Sequence, residues 1–584
     1  AGAARTGRTE RLAAVPLQQT LEQLAALAGI RADAGDQALF TRAAALVRAH
    51  QVRSDADLGP LVDHPPPDAD PAVLHRLRQM YETGGWVLLE SAIVDLPADL
   101  RWLYESGAVT IEQLALLHHQ LGATSAADLA DAVRRRALQG LPDFDEDVER
   151  AVAEALPTLR ARIPRIPLGR ATATAEPLLA QLAETAGVDW ASAVGSLRRG
   201  QDTVGDIELI AASEHPAQAI ENLTQLDHVV RSLHRSARRV YLLLDRVQVG
   251  VRCPAPADAG AMLLHLTGTA SHVTALRTLA ERDGGRLEPN GLFAADGTRR
   301  AAAREEDIYA ALGLPFIPPE IREGAAAIDA AIRGELPALI SRADIRGDLH
   351  MHSTWSDGRD TVEAMVAASR ALGYEYIAIT DHSPSSAASR TLSIDGVKRQ
   401  AEEIARLRER FPDIDILHGG EVDILPDGRL DFPDRVLERF DIVLASLHDG
   451  ASHSRDQLMR RYMLAMRHPL VTLITHPTNR LVPHRAGYDL DYDRLFATAV
   501  ETGTILEIDG APVHLDLDGA LAHRAIAAGA TVAIDSDCHR ADQLDRQMRL
   551  GLVTARRGWV EPRHVLNARP INTVRDVIAR KRAT

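Results

Sequence analysis

From "IRGDLHMH" onward the sequence repeats one unit, a short apolar run that reads as a strand followed by a stretch with helical spacing. Seven such runs occur: "RGDLHMH", "YEYIAIT", "IDILHGGEVDI", "DIVLASLH", "LVTLITH", "TILEID" and "TVAIDSD". Repeated βα units of this kind predict parallel strands closed into a barrel. Polar residues gather at the C-terminal ends of the runs. His350 and His352 end the first, with Asp357 in the next loop, and Asp381 and His382 follow the second. The third carries Glu421, the fourth and fifth end in His448 and His476, and the seventh ends in Asp537 and His539. In a βα barrel these ends meet on one face. Imidazoles and carboxylates gathered there suit Mn²⁺, Zn²⁺ or Fe²⁺. A single histidine is ordinarily a surface or hydrogen-bonded residue, and His453, His484, His514, His523 and His564 are read that way. Burial alone does not explain strand after strand ending in a His or an acid.

The preceding half is organised differently. Residues 14–60 and 71–156 place apolar residues at helical spacing, with breaks at "HPPPDADP" and "ALQGLPDFDED". From "IPRIPLG" the period shortens, and "DIELIAA", "RRVYLLLD" and "VQVGVRC" read as strands among helices up to about residue 320. Within "TVGDIELI", Asp206 and Glu208 stand two apart on a strand, so both carboxylates share a face and could hold a divalent cation against a phosphate.

Composition narrows the class. With 584 residues, 46% apolar and 25% charged, the chain reads as several soluble globular domains. No apolar run reaches membrane-spanning length, no secretory leader is read, and Cys253 and Cys538 lie far apart. The expected setting is a reducing cytoplasm, with no membrane partner. A net charge of −15 argues against a protein that coats nucleic acid. Lys398 and Lys581 are the only lysines.

The motifs "HMHSTWSDG", "TDH", "THP" and "DSDCH" resemble those of the PHP (polymerase and histidinol phosphatase) superfamily, over roughly residues 341–584. The resemblance implies a distorted (β/α)7 barrel holding two or three divalent metals (Mn, Zn or Fe) and hydrolysing phosphoesters. By resemblance His350, His352, Glu421 and Asp537 would hold one metal, Glu421, His448 and His476 a second, and Asp357, His382 and His539 a third. Cys538 reads as a filler between two ligands, and Arg480 is a candidate phosphate clamp. Upstream, "GSLRRGQDTVGDIELI", "LTGTASHVTALRTLAERDG", "PNGLF" and "EEDIYAALGLPFIPPEIREG" resemble the DNA polymerase X family. That pattern implies that Gly195, Ser196 and Arg199 contact a triphosphate and that Asp206 and Glu208 are catalytic metal ligands.

The expected architecture is therefore multidomain: an α-helical N-terminal region, an α+β nucleotidyltransferase-like palm and the PHP barrel. The expected limits are 1–60 for a lyase-like domain, 61–156 for helix-hairpin-helix-like fingers, 157–256 for the palm and 257–324 for a thumb-like domain. A linker at 325–340 then leads to the PHP domain at 341–584. The chain departs from the polymerase pattern in three places. Gly250 stands where the third carboxylate belongs, with Asp245 and Asp258 as possible substitutes. The hairpin "LPDFDED" sets acids where a DNA phosphate would sit, and no lysine precedes Lys398 for lyase chemistry. The expectation is a metal-dependent phosphoesterase, a 3′–5′ DNA exonuclease in repair acting on DNA or a nucleotide phosphoester. Its polymerase core would be inactive and hold Mg²⁺ at best weakly. The alternatives are a phosphatase of histidinol-phosphate type, a non-catalytic repair scaffold, or a weakly active polymerase. Protein partners are not legible in the sequence.

Overall fold

The computed structural model describes residues 15–162, 165–244, 247–386, 388, 390–450 and 452–583. Asp245 lies outside them. The described chain forms two compact units. One comprises 15–162, 175–192 and 205–256, and the other 165–174, 193–204 and 257–583.

The first unit begins with helices because its apolar residues recur at helical spacing and its polar residues cap the ends. Leu17–Ile30 and Ala34–Ala49 pack through Leu21, Leu24, Leu27, Phe40 and Val47. Thr110 and Ser125 start Ile111–Leu121 and Ala126–Arg134 with reciprocal side-chain caps, which satisfy N–H groups that a helix start leaves open. A mixed five-stranded sheet follows: β1 (Val188–Ala193), β2 (Ile207–Ser213), β3 (Arg231–Arg235), β4 (Arg239–Leu244) and β5 (Val247–Arg252), in the order β1-β2-β5-β4-β3. Register sets the chemistry of this sheet. β2 and β5 pair in parallel with Glu208 beside Gly250, while β4 and β5 pair antiparallel with Tyr241 facing Gly250 and Arg239 facing Arg252.

The second unit carries a small helix-and-sheet region and the barrel. In the former, Glu305 lies between Arg198 and the fully buried Arg322, with oxygen–nitrogen distances from 2.5 to 3.4 Å. The barrel strands are β6 (Gly347–Asp348), β7 (Tyr376–Ile379), β8 (Asp415–Asp423), β9 (Ile442–Ser446), β10 (Leu473–Ile474), β11 (Ile505–Asp509) and β12 (Val532–Asp535). All seven pair in parallel and in chain order, as the βα repeat predicts. A parallel bridge from Met351 to Cys538, with His352 N–H donating to Cys538 O at 2.9 Å, joins the first strand's end to the last and nearly closes the barrel.

Asn567 secures the same seam lower down. Its amide nitrogen donates to Gly347 O (2.9 Å) and Ile534 O (2.6 Å), and its oxygen accepts from Ile534 N–H at 3.0 Å. Asn567→Ala leaves these buried groups unpaired, at about 3 kcal/mol. Hydrogen exchange in β6 and β12 should accelerate about 100-fold. Unchanged protection there would show that the seam holds without Asn567.

Candidate metal centre

The C-terminal ends of the barrel strands converge around one buried carboxylate. Glu421 projects from β8, and its two oxygens face different sets of imidazoles. Oε2 lies 2.8 Å from His382 Nδ1, 3.5 Å from His350 Nε2 and 3.6 Å from His352 Nε2. Oε1 lies 2.9 Å from His476 Nε2 and 3.5 Å from His448 Nε2. Burial pushes the Glu421 carboxyl up, but the imidazoles of His382, His350 and His448 outweigh it and hold the group well below the usual carboxylate range. Asp537 approaches the same His352 nitrogen, with Oδ1 3.0 Å from His352 Nε2 and 3.6 Å from His350 Nε2. At the rim, Asp357 approaches His539 at 3.3 Å and His382 at 3.6 Å. The nine residues read from the sequence thus share one site. His382 serves two neighbourhoods, lying with Glu421 and His448 as well as with Asp357 and His539.

Three carboxylates that the ligand reading left out hold these groups in place. Glu507 on β11 takes His350 Nδ1 at 2.7 Å with one oxygen and His476 N–H at 2.6 Å with the other. His350 Nδ1 is thereby the protonated nitrogen, and Nε2 is turned toward the site. Asp423 takes His448 Nδ1 at 3.0 Å. Asp381 of "TDH" accepts from Ser353, Ser356 and Gln400, and so fixes the loop that presents Asp357. Two of the three were visible in the sequence, because Asp423 follows Glu421 and Glu507 precedes Asp509 by two positions, which puts each pair on one strand face. His476 and Asp537 have positive φ (23° and 48°), a region non-glycine residues seldom adopt.

The donor set fits divalent cations. His352 Nδ1, His382 Nδ1, His476 Nδ1 and Glu421 Oε2 are buried without hydrogen-bond partners. His382 Nδ1 and Glu421 Oε2 lie 2.8 Å apart without bonding geometry, and the Nε2 atoms of His350 and His352 face each other at 3.2 Å. Such crowding of lone-pair atoms is costly unless a cation lies among them. Among the described residues, groups that could hold a metal include His350/His352/Asp537, His352/Asp357/His382/His539 and His382/Glu421/His448.

The reading of Arg480 needs correction. Arg480 is not open for a phosphate: its guanidinium donates to His514 O (2.9 Å), to Leu515 O and to Asp202 (2.7 Å). His514, read as a surface or hydrogen-bonded histidine, is hydrogen-bonded to Arg480 O at 2.9 Å and also stacks on His476 with ring centres 5.0 Å apart. Cys538 packs in the barrel core, where burial pushes its thiol up to about 12, which agrees with a filler.

The palm carboxylates have a different fate. Asp206 is exposed just before β2, whereas Glu208 is buried within it. Glu208 Oε1 accepts from Arg239 (3.0 Å) and from Tyr241 OH, and Oε2 accepts from Arg252 at 3.0 Å. Asp128 binds the same two guanidiniums at 2.8 and 2.9 Å, which closes a ring of two acids and two arginines. Burial pushes Glu208 up, but Arg252 and Arg239 outweigh it and leave its carboxyl below the ordinary value. Gly250 leaves room for this ring, since a Cβ there would lie 2.9 Å from Glu208 Oε1 and 3.0 Å from the Tyr241 ring. Asp258, once a possible substitute acid, pairs with Arg299 at 2.7 Å. Gly195, Ser196 and Arg199 belong to the second unit, where Arg199 donates to Thr267 O at 2.7 Å. In the "LPDFDED" hairpin, Asp145 caps Val148 N–H at 2.9 Å and so occupies a donor that a phosphate would use.

Fold and site define a PHP-type, metal-dependent phosphoesterase joined to a polymerase X-like core. A family model for the DNA polymerase beta thumb matches residues 262–323, and one for the PHP domain matches 348–484. The chain is 34% identical over 508 residues to the DNA polymerase/3′-5′ exonuclease PolX of Bacillus subtilis, covering 86% of this chain and 89% of that protein. A probable phosphatase of Thermoanaerobacter is 29% identical over 33% of this chain and 78% of its own length. One from Caldanaerobacter subterraneus is 30% identical over 29% of this chain and 65% of its own. The chain belongs to the bacterial PolX family and is an enzyme with a hydrolase domain. Among the described residues no helix is long and apolar enough to cross a membrane.

Glu507→Ala removes the acceptor that fixes His350. Metal affinity of the full chain should fall about 10–100-fold in a chelator competition. Unchanged affinity would mean that His350 needs no such orientation.

Proposed function

We propose that the chain is a 3′–5′ DNA exonuclease of repair whose palm no longer adds nucleotides. The carrying observation is Glu421, whose two oxygens face separate imidazole sets as a ligand shared between two cations would. The nine residues would hold two or three ions of the Mn²⁺, Zn²⁺ or Fe²⁺ class, with Glu421 common to two of them. Such ions would supply an acidified water and neutralise charge on a phosphoryl group. The chain's part is to hold that geometry. Glu507 and Asp423 keep His350 and His448 oriented, and Asp381 keeps Asp357 at the rim. DNA as substrate is supported by the PolX relative, and a phosphomonoester by the probable phosphatases that match the barrel. The free, buried cysteines support a reducing, cytoplasmic setting. The domain limits read from the sequence stand as proposed boundaries.

Loss of nucleotide addition rests on the ring around Glu208. Removing one partner of a buried ion pair costs about 3–5 kcal/mol. A catalytic Mg²⁺ could therefore take Glu208 only by leaving Arg239 and Arg252 short of a partner. Gly250→Asp would not restore the site either, because Tyr241 and Glu208 fill the space a new side chain needs.

The test uses the full chain with Mn²⁺, a 3′-labelled oligonucleotide and a panel of phosphomonoesters that includes histidinol phosphate. Nucleotides should be released from the 3′ end, and His350→Ala should slow this about 10³-fold. In that same variant, primer extension with Mg²⁺ or Mn²⁺ should be absent. Turnover of monoesters with inert DNA would identify a small-molecule phosphatase, and no turnover at all would leave a scaffold. Extension that disappears with Asp206→Ala would show that the palm works.

A further inference from the structure

The nine-residue set draws on six of the seven barrel strands and passes over β11, yet β11 also ends in an acid. Asp509 is fully buried at that end. Its Oδ1 accepts from Ala511 N–H at 2.6 Å, whereas Oδ2 has no partner. The loop that follows folds back on the strand through Asp509 N–H to Asp516 O at 2.6 Å, which brings His514 over the site. His514 Nδ1 meets Arg480 O at 2.9 Å. A carbonyl can only accept, so Nδ1 carries the proton and Nε2 keeps its lone pair. Arg480 returns the contact through its guanidinium to His514 O, and Asp202 holds that guanidinium in turn. Asp509, His514 and Asp537 each place a donor atom within 4.8 Å of the others'.

We propose that Asp509, His514 and Asp537 form a further divalent-cation site at the β11 side of the metal centre. Two carboxylates and one imidazole make an oxygen-rich set that suits Mn²⁺ or a similarly hard ion. Three protein ligands leave coordination positions for water or a substrate phosphate oxygen. Asp537 belongs both to this set and to the His350/His352 set, and so links the two. The loop after β11 that carries His514 thus acts as a ligand-bearing arm of the centre, and Arg480, on the loop after β10, holds that arm in place rather than clamping a phosphate.

The inference rests on the metal-centre reading, and one experiment separates the two. The full chain is stripped with chelator, dialysed against graded Mn²⁺, and its bound Mn²⁺ counted by elemental analysis. The wild type is compared with Asp509→Asn, His514→Gln and His382→Ala, all checked by circular dichroism. Asp509→Asn keeps the oxygen that meets Ala511 N–H, and His514→Gln keeps a polar side chain of similar length. Each of these two should bind one Mn²⁺ equivalent fewer than the wild type at saturation, with the tighter sites unchanged. Unchanged stoichiometry in both, with a loss in His382→Ala, would overturn this site alone. No loss in any variant would overturn the metal-centre reading with it. Loss of more than one equivalent in both would show that Asp509 and His514 support the existing ions rather than form a site of their own.

Discussion

The barrel face is organised around the placement of one buried carboxylate among five imidazoles. Among the described residues, the ionisable groups paired with Glu421 are all histidines. That arrangement leaves lone pairs crowded together without bonds, as in the pair formed by His382 Nδ1 and Glu421 Oε2. Much of the surrounding structure maintains it. Glu507 and Asp423 each hold a histidine by its second nitrogen, Asp381 anchors the "HSTWSDG" loop, and Asn567 ties the seam where the first and last strands meet.

The palm shows the opposite outcome for a similar starting feature. Glu208 is also a buried strand carboxylate, but both its oxygens are taken by protein donors, and Asp128 neutralises the remaining charge on those arginines. The difference lies in the partners. Histidine can present a lone pair to a cation, whereas arginine can only donate and competes with one. A carboxylate ringed by histidines can take a metal; one ringed by arginines already has its counter-charge.

The barrel was legible because its signal repeats. Seven runs of one period, most ending in a ligand-type residue, specify both the parallel topology and the face on which the residues meet. The positioning acids were half legible: Asp423 and Glu507 sit two positions from other acids, a spacing that places them on the inner face, but one acid inside an apolar run reads equally as a defect. Arg480 was misread because its guanidinium is taken by carbonyls of the loop after β11, a contact between distant segments that local sequence does not encode. Gly250 was legible as a missing acid. Its structural reason was not, because that depends on the β4–β5 register that sets Tyr241 opposite it and Arg239 opposite Arg252.

The most direct test of the central claim is the metal content of Glu421→Ala compared with His539→Ala, each purified as the full chain and checked for fold. A carboxylate shared between two ions should release more than one on removal, whereas a rim histidine should release at most one. Greater loss from Glu421→Ala is the expected result. Equal loss from the two variants would contradict the shared-ligand account of the centre.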